Sequence, residues 1–266
     1  MGSDEEGVSL ARNIHAHPSL QELGVSHTPL DTPAALDSIV DAVIACGLTG
    51  LHVSYCSLGP EAVTHFARLL RDAPHLSVLY IRDDIEGMSQ MCDADSAPIL
   101  AAALRVSSLS VLCLAFIGVW DDGVGNVLVD ALVGHPTLQE ISLAFNSMDK
   151  NDPRNTGGAC LARLVAANSP MLDVLDLFYL GGAGLFYCDD VLRPFFTMLP
   201  SNTFLHTLSL PMCNISESFA RNVVLPSVRA NASLRTHVMV QHGFHGFAYS
   251  SLIDAEALVE ARIVSC

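Results

Sequence analysis

His242 and His245, in the segment HGFH, come nearest in this chain to a metal-ligand pair by type and spacing. Two imidazoles three residues apart hold a cation only when further ligands complete the shell, and no third ligand stands at a recognisable spacing. The eight cysteines, Cys46, Cys56, Cys92, Cys113, Cys160, Cys188, Cys213 and Cys266, form no CxxC pair, so nothing suggests zinc. Glycines cluster in GGAG (181–184) and DDGVGN (121–126). Neither run continues into the Lys-Ser/Thr of a phosphate loop, and neither forms a dinucleotide fingerprint between strand and helix. There is no Gly-x-Ser-x-Gly segment, and no cysteine has an evident histidine base. The expectation is a non-enzyme with no catalytic residues, no metal and no cofactor.

The elements that would carry any site are written in a repeat. In PTLQEISLAFNSM (136–148) the apolar residues Leu138, Ile141 and Leu143 stand at 0, +3 and +5, with Asn146 at +8. The 0, +3, +5 pattern occurs eight times, anchored at Leu20, Leu48, Leu76, Leu109, Leu138, Leu172, Leu205 and Leu234. Successive anchors are 28, 28, 33, 29, 34, 33 and 29 residues apart. The last copy degrades, with His237 in place of the +3 Leu. Residues +3 and +5 are one period-2 step apart, so both face one side of a short strand. At +8 the chain bends back, and a residue buried there must bond backbone groups that no ladder satisfies. Asn146, Cys56 and Cys213 suit that task, whereas Thr28, Asp84, Ile117, Leu180 and His242 depart from it.

Between strands the apolar period becomes helical. LGPEAVTHFARLLRDAP (58–74) puts Pro60 near a helix start and aligns Val63, Phe66, Leu69 and Leu70 in one stripe. Equivalent helices are expected at about 33–46, 96–106, 123–134, 157–168, 189–199 and 216–230. Neither face of one strand–helix unit can be buried alone, and stacking the units buries both.

LTGLHVSYCSL (48–58) and LQEISLAFNSM (138–148) match L-x-x-L-x-L-x-x-(N/C)-x-L almost letter by letter. The chain here resembles the leucine-rich repeat proteins, and its 28–29-residue spacings resemble their ribonuclease-inhibitor-like subclass. The resemblance implies an α/β solenoid (horseshoe) of about eight repeats, with parallel strands on the concave face and helices on the convex face. Residues 1–266 are expected to form a single leucine-rich repeat domain, with an N-terminal helix or cap over 1–16, repeats over 17–250 and a C-terminal capping helix over 251–266. The start almost inside a helix fits either a short native cap or a segment of a longer chain or complex.

The charge narrows the partner. The net charge is −15, from 28 acids against 12 Arg and the single Lys150, and only 15% of residues are charged, against about a quarter in average proteins. Nucleic-acid phosphates and anionic membrane surfaces both require clustered Lys and Arg, so neither is expected as a partner. The longest apolar run, VLCLAFIGVW (111–120), is far short of the roughly 20 residues that span a bilayer. The acidic N-terminus lacks the form of a secretion signal, which makes cytoplasmic residence the expectation, with reduced thiols. The Asn-x-Ser triplets at Asn214 and Asn231 are then chance matches to the glycosylation pattern.

Aligned repeats place His27, Tyr55, Asp83, Phe116, Phe145, Tyr179, Met212 and Gln241 at +7, Phe178 at +6, and His52, Tyr80 and Cys113 at +4. Equivalent positions on adjacent parallel strands lie about 4.8 Å apart. Tyr55, Tyr80, Phe116, Phe145, Phe178, Tyr179 and Met212 are therefore expected to line an apolar ridge, rimmed by Asp83, Glu140, Asp173 and Asp176. The competing expectation is that +7 side chains pack under the following loop. Extra residues over 83–96, 146–158 and 179–190 would project from one rim.

The function expected is a non-catalytic protein–protein interaction scaffold that holds a protein partner on the concave ridge, which is also what the family resemblance implies. Two alternatives stand beside it. One is a GTPase activator of the Ran-activator type, using an exposed Arg82 or Arg154. The other is a ligand-sensing module of a larger receptor.

Overall fold

The structure is a computed structural model, and it describes residues 3–59, 61–82, 91–115, 123–143, 157–177, 189–209 and 216–238. The chain divides into two compact units, residues 1–132 and 133–266.

The first unit alternates helix and strand: α1 (Ser3–Ala16), β1 (Glu22–Ser26), α2 (Pro33–Cys46), β2 (Gly50–Ser54), α3 (Ala62–Asp72), β3 (Val78–Arg82), α4 (Ala97–Leu104), β4 (Val111–Ala115) and α5 (Val124–Leu132). The second holds β5 (Glu140–Ser142), α6 (Gly157–Ala166), β6 (Val174–Asp176), α7 (Asp189–Met198), β7 (Thr207–Ser209), α8 (Glu217–Phe219), α9 (Leu225–Ala230) and β8 (Thr236–Val238). Every strand from β1 to β4 pairs in parallel with its neighbour, and so does every strand from β5 to β8. Each unit is an α/β solenoid of the leucine-rich-repeat kind.

The register follows the leucine spacing. Leu23, Leu51, Leu79 and Leu112 stand in line across β1–β4, as do Val25, Val53, Ile81 and Leu114. All eight are buried, Leu23 being the most exposed of them at 9%. Each fully buried aliphatic side chain contributes roughly 1.5–3 kcal/mol relative to exposure. In the second unit Ile141, Leu175, Leu208 and His237 form the equivalent line. Strands β5–β8 are three residues long, against five in β1–β4.

Helix α2 shows how local sequence starts and stops these elements. Thr32 accepts a hydrogen bond from the Ala35 N–H at 3.3 Å, Pro33 occupies the first turn where no N–H is needed, and Gly47 ends the helix at φ +66°. Its stripe of Leu36, Ile39, Val40 and Val43 is buried. Against Gly7 of α1 the packing is close: a Cβ on Gly7 would come within 2.5 Å of the Ala35 Cα. Between α8 and α9 the backbone widens into a π turn over Ala220–Val224. Pro226 has no N–H to offer the carbonyl of Asn222, which removes one α-helical bond at that point.

Hydroxyls and amides tie successive coils together. Thr49, Ser77 and Ser110, all at +1, each donate a side-chain O–H to the +1 carbonyl of the previous coil, at 3.0–3.1 Å. In the second unit the break before each anchor carries a buried polar residue: His135, Ser169, Asn202 and Asn231. Asn231 is completely buried. Its amide donates to the carbonyls of Leu199 and Asn202 at 2.7 Å, and its oxygen accepts from the N–H groups of Ser233 and Leu234. This asparagine is a structural clamp, which accounts for its presence in an Asn-x-Ser triplet. Asn214, the expected closing helix over 251–266, and His242 and His245 lie outside the described residues. Among the described residues no helix is long and apolar enough to cross a membrane.

Candidate partner-binding surface

In a regular strand, side chains alternate, so +7 would point inward after +3 and +5. The chain avoids that by a left-handed residue. His27 and Tyr55, the +7 residues of the first two coils, have φ +52° and +56°. They remain on the ladder: the His27 N–H donates to the Ser54 carbonyl at 3.1 Å and the Tyr55 N–H to the Arg82 carbonyl at 2.8 Å. The reversal of hand turns each ring out of the core and sends the +8 residue inward. Cys56 accordingly has no exposed surface, and its thiol donates to the carbonyls of Ser54 at 3.2 Å and Val25 at 3.7 Å. At the same position in the first coil, the Thr28 hydroxyl donates to the Ser26 carbonyl.

The outward rings form two columns on the open face of the first unit's sheet. In one, His27 and Tyr55 stack with centroids 4.9 Å apart and planes 10° from parallel, and the Arg82 guanidinium lies 4.8 Å over the Tyr55 ring. In the other, the +4 residues His52 and Tyr80 stack at 4.6 Å and 14°. Both separations match the strand spacing, as equivalent positions in parallel register require. Glu22 completes the second column, with a carboxylate oxygen 3.7 Å from His52 Nε2. Gly50 makes that possible. A Cβ there would stand 2.8 Å from the Glu22 Cγ, so glycine is what lets the glutamate lean across β2.

Tyr55 and Tyr80, both half-buried, thus stand in neighbouring columns on one sheet face. Phe116, Phe145, Phe178, Tyr179 and Met212 lie outside the described residues, as do Asp83 and most of the three long segments. The columns also contain residues that the sequence reading did not assign to the site: Glu22, His27, His52 and Arg82. The signal for His27 and His52 was present, since they occupy the same +7 and +4 positions as the tyrosines. The contacts of Glu22 depend on a glycine one coil away, which a single repeat does not reveal.

The second unit's sheet presents a different chemistry. Ser142, Asp176 and Ser209 are aligned at +4, and the Ser142 hydroxyl donates to Asp176 Oδ2 at 3.2 Å. His206 Nδ1 contacts Asp173 Oδ1 at the start of the same strands. Among the described residues no group of three or more His, Cys, Asp or Glu is arranged to hold a metal ion.

No protein-family model and no curated protein matches this chain. Among solved structures it is similar to the tropomodulin C-terminal domain of Caenorhabditis elegans, at 14% identity and a TM-score of 0.43, over 62% of this chain and 90% of that one.

Proposed function

We propose that the protein is a non-catalytic scaffold that binds a protein partner through the outward rings of its sheet. One observation carries the reading. His27 and Tyr55 hold ring side chains in left-handed backbone, where glycine or asparagine would sit with less strain. Strain of this kind, roughly 1–3 kcal/mol per residue, collects at functional sites. Tyrosine also suits protein contact, since it brings a large area at low entropic cost. The binding residues are Tyr55, Tyr80 and Phe116 of the first unit and Phe145, Phe178, Tyr179 and Met212 of the second, which occupy the +4, +6 and +7 positions of their repeats in the sequence. The 28-residue steps between the first three anchors support the ribonuclease-inhibitor-like subclass. Cytoplasmic residence is part of the proposal, as the sequence reading of an acidic chain with no CxxC pair suggests.

The test is affinity capture from a cell extract with wild type, Tyr55→Asn/Tyr80→Ala and Asp37→Asn/Asp41→Asn. The last pair alters α2 carboxylates that bind Arg68, away from the ring columns. The tyrosine variant should lose a captured protein that the aspartate variant keeps, with circular-dichroism spectra unchanged. Retention of every captured protein by the tyrosine variant would remove the assignment.

A further inference from the structure

We draw no further inference here: the strongest candidate, the outer edge of β1, where Glu22, Gly24 and Ser26 lie exposed, carries nothing because nothing in the structure shows what covers it.

Discussion

Tyr55 carries opposing terms that nearly cancel. Its left-handed backbone costs roughly 1–3 kcal/mol, while a ring stack and a half-buried cation–π contact together return a similar amount. Tyr55→Asn relieves the first and removes the second. The expected change in unfolding free energy is under about 1 kcal/mol, of either sign, in urea titration. A loss several times larger would mean that the ring serves the fold, and the case for binding would weaken. Cys92 makes a separate prediction. Burial pushes its thiol up to about 12, only partly opposed by a hydrogen bond with Ser96. It is therefore protonated and enclosed at pH 8, and iodoacetamide should leave it unmodified in the native protein but label it in urea. Cys46, half-buried with its sulfur 3.3 Å from His15 Nδ1, should be modified before Cys56, Cys92, Cys113 and Cys160, which are buried. Mass-spectrometric mapping of the adducts reads both outcomes.

At the scale of elements, the entry to α4 depends on one carboxylate. Asp93 Oδ1 accepts from the Ser96 hydroxyl at 2.6 Å and from the Ser96 and Asp95 N–H groups, and the Ser96 hydroxyl oxygen accepts from the Asp93 N–H. These bonds, the Ser96 hydroxyl first, hold the Asp93 carboxyl below its ordinary range. A depressed folded value means that the charged cap stabilises above the unfolded value of about 3.9 and fades as pH falls through the folded one. Asp93→Asn keeps an acceptor and loses the titration. The melting temperature of wild type should therefore exceed that of the variant near neutral pH and converge with it below pH ~4. A gap that stays constant with pH would show that Asp93 does not titrate with folding. Asn231 is the corresponding test in the second unit. Asn231→Ala leaves the Leu199 and Asn202 carbonyls without that donor, and should cost about 3 kcal/mol in urea unfolding. A cost under ~0.5 kcal/mol would mean that other groups take over those bonds.

For the molecule as a whole, the competing activity is GTPase stimulation through an exposed arginine. Arg82 does not fit that role well, because its guanidinium lies over the Tyr55 ring at the edge of the sheet face. Arg154 lies outside the described residues. The expected outcome of a GTP-hydrolysis assay with purified small GTPases is no acceleration, and acceleration abolished by Arg82→Ala would replace the scaffold reading. The receptor-module alternative gains no specific support from the geometry.

The leucine spacing alone determined the strand–helix order, the parallel register and the inward residues. It could do so because those features follow from periods of 2 and 3.6 within one coil and from the near-constant step between coils. Helices α2, α4, α5, α6 and α7 fall inside the spans read from that periodicity, with ends shifted by at most two residues at caps and breaks. The burial of Cys56 was equally legible, since an inward +8 residue after a bend needs a small bonding side chain. The stacking of Tyr55 on His27 and of Tyr80 on His52 was legible too, because equivalent positions on adjacent parallel strands lie at the strand spacing. What only tertiary structure decided lies between coils. Glu22 reaches His52 across Gly50, Arg82 settles on Tyr55, and Asn231 bonds carbonyls 29 and 32 residues earlier. Such contacts join a side chain to a group about one repeat away, where local periodicity states that two residues are neighbours but not which way each turns. That direction is set by backbone hand and by the room a neighbour leaves, as the left-handed turns at His27 and Tyr55 and the missing side chain of Gly50 demonstrate.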